Sequence, residues 1–187
     1  MTLIVGLGNP TDKYKNNRHN IGYAVIDELI DDLSAQDITK TSFKGLLYKK
    51  NDIFLLKPLT YMNLSGESVL AVSKYYKISR IIVIHDELDI ELGRIKVKHG
   101  GGSGGHNGLK SIDSLLTSEY DRIRIGISRP SDNRSIVTYV LSDFSKEEIS
   151  CVKKVIKTAA RIALDLTDSD IKEIQNRYPA KKNHCTQ

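Results

Sequence analysis

The run Ile81-Ile82-Val83-Ile84 constrains the fold of this chain more than any other segment. Four consecutive apolar residues, all branched at the β carbon, are typical of a central strand that is buried on both faces of its sheet. Such strands occur where helices cover both faces. The run therefore favours an α/β architecture.

Strand patterns and helix patterns alternate along the rest of the chain. Besides residues 81–84, strands are predicted over residues 3–7, 46–50, 53–56, 94–98, 121–127 and 136–141. Apolar residues at helical spacing predict helices within residues 26–33, 69–76, 109–116 and 149–163. Asn51-Asp52 predicts a hairpin turn, so part of the sheet is antiparallel. The predicted fold is a single-domain three-layer α/β sandwich with a central mixed β-sheet flanked by helices.

Length and composition agree with one globular domain. The chain has 187 residues, of which 40% are hydrophobic and 27% charged, and its formal net charge is +5. These values are ordinary for a protein with its own core, and the surplus charge alone indicates no more than a lysine-rich surface. We expect one domain over residues 1–187, with a polar, flexible tail from about residue 179.

Cysteine usage and the absence of targeting signals favour the cytoplasm. Cys151 lies in a helical pattern and Cys185 in the polar tail, so the sequence supports neither a disulfide framework nor a cysteine-based zinc site. No segment has the features of a signal peptide or of a bilayer-spanning helix. We expect a cytoplasmic protein without membrane association.

Polar side chains follow several predicted strands. Asn9 follows the first strand, Met62-Asn63 follows the hairpin, and His85-Asp86 follows residues 81–84. In open α/β sheets the site lies beyond the carboxyl ends of the strands, so these groups should converge on one edge. The amides of Asn9, Asn63 and Asn107 suit binding of a peptide group or an oxyanion.

His19 is the candidate general base. It lies in the loop Arg18-His19-Asn20, just ahead of the first predicted helix. A neutral imidazole with a pKa near 6.5 can take a proton from water near physiological pH. Asp86 or Asp89 could orient the ring, and Asp86 is nearer the strand. A loop histidine considered alone is more often a surface or capping residue.

Three other chemistries have weaker support in the sequence. Gly6-Leu7-Gly8-Asn9-Pro10-Thr11 begins like a dinucleotide fingerprint, but Thr11 occupies the third glycine position. The glycine tract at residues 100–105 lacks the Lys-Ser/Thr pair of a phosphate-binding loop. Metal-ligand residue types occur without compact spacing, at His19, His85, Asp86, Asp89 and His106. Metal hydrolysis is therefore the second catalytic hypothesis, and no metal or other cofactor is expected.

Basic residues form stripes on predicted elements. Alternation places Arg94, Lys96 and Lys98 on one strand face, and Arg122 and Arg124 on another. Both strand stripes suit phosphate contacts and favour nucleic-acid binding. A helical stripe of Lys153, Lys157 and Arg161 is more typical of a solvated outer face.

Several long motifs, in the right order and over nearly the whole chain, closely resemble the bacterial-type peptidyl-tRNA hydrolases. The motifs are Val5-Gly6-Leu7-Gly8-Asn9-Pro10, Tyr14, Arg18-His19-Asn20-Ile21-Gly22, Lys57-Pro58, Tyr61-Met62-Asn63-Leu64-Ser65-Gly66, His85-Asp86-Glu87-Leu88-Asp89, Gly104-Gly105-His106-Asn107-Gly108-Leu109-Lys110 and Arg122-Ile123-Arg124-Ile125-Gly126-Ile127.

The resemblance implies a monomeric α/β fold and hydrolysis, without a metal or other cofactor, of the ester joining a peptide to the terminal ribose of tRNA. The implied partner is peptidyl-tRNA, bound through its acceptor end and its peptide. His19 would be the catalytic base and Asp86 its partner. By the same resemblance Asn9, Asn63 and Asn107 would hold the substrate, Tyr14 and Met62 would line the cleft, His106 would flank it, and Lys98 and Arg124 would clamp the terminal phosphate of the tRNA.

Two positions depart from the motifs. Thr11 stands where a glycine commonly follows Asn-Pro, and Asn17 stands where threonine often precedes the Arg-His pair. Both would affect loop shape rather than chemistry. A competing hypothesis is a non-catalytic tRNA-binding or ribosome-associated module that uses the same basic face, and turnover by substoichiometric protein would separate the two.

Overall fold

A seven-stranded mixed sheet forms the centre of the molecule. The structure, a computed structural model, describes residues 1–186. The strands are β1 (Thr2–Gly6), β2 (Gln36–Asp37), β3 (Gly45–Lys50), β4 (Ile53–Pro58), β5 (Arg80–Glu87), β6 (Ile95–His99) and β7 (Asp121–Gly126). The strand order is β2-β3-β4-β1-β5-β7-β6. The four central strands, β4, β1, β5 and β7, are parallel, and β2, β3 and β6 pair antiparallel with their neighbours. The predicted mixed sheet and its β3–β4 hairpin are confirmed.

Helices cover both faces of this sheet. They are α1 (Ile21–Leu33), α2 (Ser65–Tyr76), α3 (Asn107–Leu115), α4 (Ile136–Val140), α5 (Ile149–Asp168) and α6 (Ile171–Arg177). One core lies between the sheet and α1, α5 and α6, and a second lies between the sheet and α2 and α3. This is the predicted three-layer sandwich. No helix within residues 1–186 has both the length and the apolar character needed to cross a bilayer.

The apolar run near the middle of the chain is buried on both sides, as predicted. Ile82 and Ile84 belong to the core with α1 and α5, whereas Val83 belongs to the core with α2 and α3, and all three are fully buried. Burial of each such side chain stabilises the fold by roughly 1.5–3 kcal/mol. The strand continues to Glu87, so the same central strand carries Asp86 at its carboxyl end.

The predicted strand at residues 136–141 is wrong, because this segment contains the short helix α4. The hydroxyl of Ser135 accepts a hydrogen bond from the backbone N–H of Thr138 at 3.1 Å and caps the helix. Tyr139 and Val140 are buried, whereas Val137 is 66% exposed. Local capping and one-sided burial outweigh the strand propensity of the β-branched residues, which is a weak preference.

The polar tail is packed against the body of the protein. The N–H of His184 donates to the carbonyl of Gly93 at 2.8 Å, and the His184 side chain is buried. Cys185 forms a disulfide with Cys151, with their Cα atoms 4.7 Å apart. The disulfide corrects the expectation that the sequence supports no disulfide, whereas the flexibility of the tail stays a prediction. Gln187, the last residue of the predicted domain, lies outside the described residues.

Two short elements had no prediction. The strand β2 has only two residues, and the helix α6 has seven residues of mostly polar character. The Asp170 carboxylate accepts the N–H of Glu173 at 2.9 Å and thereby caps α6. Elements this short carry too few apolar residues for their periodicity to be read.

Thr11 adopts a backbone conformation that glycine would accept more readily. Its φ is 82° and its ψ is 152°, a region that residues with a β carbon rarely occupy and in which they pay about 1–3 kcal/mol. We expect Thr11→Gly to raise the free energy of unfolding by about 1 kcal/mol, after the larger backbone entropy of glycine in the unfolded chain is subtracted. Urea denaturation measures this difference.

Thr41 provides the matched control. It is also exposed, but it lies in a 3-10 turn, Thr41–Phe43, and has no positive φ. Thr41→Gly should therefore destabilise the protein by about 0.5–1 kcal/mol. If both substitutions change the free energy of unfolding in the same direction, Thr11 is not strained.

Candidate active site

A cleft opens at the carboxyl ends of β1 and β5. It encloses a cavity of about 500 Å³. The predicted site residues that line it are Asn9, His19, Met62, Asn63, Asp86, His106 and Asn107. Segments that are far apart in sequence thus meet at one edge of the sheet, as the strand-end argument predicted.

The carboxylate of Asp86 is the centre of the cleft's hydrogen bonds. Its Oδ1 lies 2.8 Å from Nδ1 of His19 and 2.9 Å from Nε2 of His106. The side chain of Asp86 is only 3% exposed. Asp89, the other candidate partner of His19, instead binds Arg129 at the surface at 2.7 Å. Asp86 is therefore the carboxylate that orients His19.

The protonation of both imidazoles follows from their neighbours. Nδ1 of His106 accepts the N–H groups of Gly108 at 3.1 Å and Leu109 at 3.4 Å, so the proton of a neutral His106 is on Nε2 and is donated to Asp86. An ionised carboxylate only accepts, so His19 donates to Asp86 from Nδ1. The Nε2 of a neutral His19 then carries a lone pair rather than a proton.

Electrostatics reinforce this assignment. Burial alone lowers the pKa of His19, but the charge of Asp86 and the hydrogen bond to it outweigh burial and raise the pKa above its usual 6.5. Burial would raise the pKa of Asp86, but His19 and His106 overcome that effect and hold it far below its usual value. Asp86 is therefore ionised and His19 is a stronger base than a free imidazole.

His85, in contrast, lies outside the cleft. It is fully buried, and its Nδ1 donates to the backbone carbonyl of Asp86 at 2.8 Å. Burial, with a further contribution from His106, lowers its pKa to about 3. His85 is therefore neutral and packs beside the site, where its ring makes an edge contact with His106.

Asn9 presents an amide donor to the cleft. Its Oδ1 accepts the N–H of Met62 at 2.9 Å, which leaves the Nδ2 group available. Its backbone is held by Asn20, whose Oδ1 accepts the N–H of Asn9 and whose Nδ2 donates to its carbonyl, both at 2.9 Å. The role of Asn20 was missed, although the residue follows His19 directly in the quoted motif.

Asn63 and Asn107 have side chains that are open to the cleft. Both residues are exposed. Within residues 1–186 neither side-chain amide makes a hydrogen bond, so each could bind a ligand through its oxygen and its NH₂ group. Asn107 is the first residue of α3, one position after His106.

Three predicted residues do not line the cavity. Tyr14 is half-buried in the turn Asp12–Tyr14, where the ammonium of Lys13 lies 5.4 Å from its ring centre. Lys98 is exposed on the edge strand β6. Arg124 binds Glu87 at 3.1 Å, and Glu87 itself lines the cavity, so Arg124 lies beside the cleft rather than in it.

Arg122 is not free to make the expected phosphate contact. Its guanidinium is buried and donates to the carbonyls of Gly101 and Gly102 at 2.5 and 2.7 Å. It also stacks on the ring of Tyr120, 4.7 Å from its centre. Strand alternation correctly places Arg122 and Arg124 on one face, but the glycine loop covers Arg122.

The same cluster includes the residues that could hold a metal ion. His19, Asp86 and His106 each offer a ligand atom, and these atoms lie within 4.8 Å of one another. Metal binding at Nε2 of His106 would move its proton to Nδ1, which faces the N–H groups of Gly108 and Leu109. The Nδ1–H would then point at these two N–H groups with no acceptor between them, so the hydrogen bonds of His106 disfavour a metal at Nε2.

An apolar wall completes the cleft. It is formed mainly by Ile136, Val137, Val140 and Leu141, together with Leu88. Most of these residues belong to α4, which the strand prediction had assigned to the sheet. No pattern in the sequence indicated that they face the cleft.

Comparisons with known proteins identify a family. The family model described as peptidyl-tRNA hydrolase matches residues 3–185. The chain is 49% identical over 178 residues to the peptidyl-tRNA hydrolase of Campylobacter lari, covering 95% of this chain and 98% of that protein. For that of Campylobacter concisus the identity is 48% over 182 residues, covering 97% and 98%. The solved peptidyl-tRNA hydrolase of Acinetobacter baumannii has a TM-score of 0.90 at 35% identity, covering 98% of this chain and 96% of that one.

The pKa of His19 provides a direct test of the Asp86 network. We expect NMR titration of the His19 ring to give a pKa above 6.5 in the wild type. In Asp86→Asn the attracting charge is lost while burial remains, so the pKa should fall below 6.5.

Asp89→Asn is the matched control, because Asp89 is exposed and paired with Arg129. It should leave the titration of His19 unchanged. An equal pKa in Asp86→Asn and the wild type would mean that Asp86 does not control the charge of His19.

Proposed function

Because this chain belongs to the peptidyl-tRNA hydrolase family, we propose that His19 is the general base that activates water against the ester between peptide and tRNA. The enzyme hydrolyses peptidyl-tRNA and so returns the tRNA for reuse. One observation carries the assignment of His19. Its Nδ1–H is donated to a buried carboxylate at 2.8 Å, which leaves Nε2 unprotonated in the cleft.

The proposed reaction has two steps. Nε2 of His19 takes a proton from water as the water oxygen adds to the ester carbonyl, which forms a tetrahedral intermediate and an imidazolium. When the intermediate collapses, the bond to the ribose oxygen breaks and the imidazolium returns its proton to that oxygen. The products are a peptide with a free carboxylate and a tRNA with a free terminal hydroxyl.

Asp86 and His106 support both steps. Asp86 holds the ring of His19 in the required tautomer and stabilises the imidazolium. His106 donates to the same oxygen of Asp86 at 2.9 Å and keeps that carboxylate ionised and fixed. In this proposal His106 flanks the cleft and acts through Asp86.

The amides of the cleft are assigned to the substrate. Nδ2 of Asn9 is free to donate because Met62 occupies its oxygen. Asn107 and Asn63 are open to the cleft, and amide donors at such positions stabilise a developing oxyanion or hold a peptide backbone. Met62 packs at the floor of the cleft beneath them, since it is buried and lines the cavity.

The RNA is assigned to the β6–β7 edge. Lys98 is exposed there, and Lys96 is the register partner of Arg124. Glu87 links Arg124 to the cleft. Lys98 and Arg124 are therefore proposed to bind the terminal phosphate of the tRNA. Tyr14 stays a predicted contact of the substrate, although it lies outside the lining of the cavity.

Assembly and location complete the proposal. We propose that the active form is a monomer, as the resemblance to the family implies, and light scattering of the purified enzyme tests it. The substrate is a product of interrupted translation, which supports a cytoplasmic location. Cell fractionation tests that location.

His19→Ala should lower turnover of N-acetylaminoacyl-tRNA by at least about 10²-fold, since it removes the general base. Its folding should stay close to that of the wild type, as measured by circular dichroism. Peptide release is measured with substoichiometric enzyme, so that binding without hydrolysis gives no signal.

His99→Ala is the control, because His99 is exposed, lies outside the cavity lining and is on the opposite face of β6 from Lys98. It should keep wild-type turnover. A chelator should not change the turnover of the wild type or of His99→Ala, whereas chelator-sensitive turnover would favour metal hydrolysis. A fully active His19→Ala would overturn the proposed base.

Asn107→Ala should lower kcat by about 10²-fold if its amide stabilises the oxyanion. Asn16→Ala is the control, because Asn16 is an exposed loop asparagine outside this cavity. Steady-state kinetics measure both. Near-normal kcat in Asn107→Ala would remove Asn107 from the oxyanion role.

A further inference from the structure

We propose that the ion pair of the buried Arg18 with the partly exposed Glu148 is a positioning device that holds the apolar wall of the cleft beside His19, and so controls binding of the peptide part of the substrate. This inference rests on the proposed function. Arg18 directly precedes the general base in the turn Arg18–Asn20, yet its side chain contacts the segment that follows α4.

The contacts of Arg18 are extensive. Its two terminal nitrogens donate to the two carboxylate oxygens of Glu148 at 3.0 and 2.9 Å. Its guanidinium lies 4.5 Å from the ring centre of Tyr139 and 4.9 Å from that of Phe144. The Arg18 side chain is only 8% exposed. A bidentate ion pair between aromatic rings fixes both the distance and the angle between guanidinium and carboxylate, which a lysine could not do.

Backbone contacts tie the same two segments together. The N–H of Arg18 donates to the carbonyl of Ser142 at 3.0 Å. The side-chain amide of Asn17 donates to the carbonyl of Leu141 at 2.6 Å, and Asn17 forms an isolated β-bridge with Asp143. Asn17 is one of the two departures from the family motifs, and a threonine has no NH₂ group with which to make this bond. Residues 141–143 are thus fastened to the turn that holds His19.

The fastened segment continues from the apolar wall. Ile136, Val137 and Leu141 line the cavity although they are 40%, 66% and 37% exposed. The chemistry at His19 and Asp86 uses none of them, so an apolar surface of this extent suits the peptide chain attached to the ester. The wall belongs to a helix of only five residues, which has little capacity to hold its own position.

The ion pair and the chemical groups are therefore separable. Glu148 contacts neither His19 nor Asp86, and its known partners are Arg18 and the N–H of Ser145. Loss of the pair should move the wall while leaving the hydrogen bond of His19 to Asp86 intact. The effect should then fall on KM rather than on kcat or on the acid limb of the pH profile.

The test compares N-acetyl-dileucyl-tRNA with N-acetyl-diglycyl-tRNA in the full-length enzyme. Glu148→Gln should raise KM for the dileucyl substrate by about tenfold and for the diglycyl substrate much less, with kcat changed by less than about twofold. Arg18→Lys keeps the charge but not the bidentate geometry, so its KM for the dileucyl substrate should lie between the values of the wild type and Glu148→Gln. Glu173→Gln, in the exposed pair with Arg177 on α6, is the control and should change nothing.

Val137→Ser keeps the proposal testable if Glu148→Gln fails to fold, because Val137 is largely exposed and its substitution alters the wall directly. It should raise KM for the dileucyl substrate in the same selective way. Equal changes for both substrates, or a loss of stability and kcat without a change in KM, would show that the pair has only a structural role. That result would leave His19→Ala inactive and the proposed function intact.

Discussion

The site depends on a buried negative charge at the end of a central strand. Moving a carboxylate out of water costs several kcal/mol, and the side chain of Asp86 is almost wholly enclosed. Two hydrogen bonds from imidazoles, each of which stabilises a charged acceptor by roughly 1.5–3 kcal/mol, offset much of that cost. A buried carboxylate needs hydrogen-bond donors, which explains why the two histidine side chains meet at Asp86. The position of His19, the proposed general base, therefore results from the hydrogen bonds that this one carboxylate requires.

The sheet provides the positions from which those groups meet. β1 and β5 are adjacent and parallel, so Asn9 and Asp86, which lie at or just after their carboxyl ends, are on the same edge of the sheet. The turn that holds His19 precedes α1, which packs on both strands through Gly22, where an added β carbon would lie 2.5 Å from the backbone of Leu7 and Ile84. This close approach keeps His19 within hydrogen-bond distance of Asp86.

Much of this arrangement could be predicted from the sequence, because the long apolar runs and strand-end polar residues follow simple periodicities. The strand β5 and the convergence of Asn9, Asn63 and Asp86 are of this kind, whereas spacing alone could not show that Asp86 meets His19. Other features depend on contacts distant in sequence. Alternation gives the face of Arg122 but cannot show that a glycine loop folds over it, and the β-branched residues of α4 carry a strand preference that a cap at Ser135 overrides.

The cap of α3 connects the cleft to the backbone of a helix. His106 accepts two backbone N–H groups with one ring nitrogen and donates to Asp86 with the other. Loss of this acceptor, as in His106→Ala, would end the cap, which costs about 1 kcal/mol in helix stability. The amide hydrogens of Gly108 and Leu109 should then exchange with solvent more readily. Hydrogen exchange at two ordinary backbone amides thus reports whether the ring that supports Asp86 is in place, without a substrate and without a label in the site.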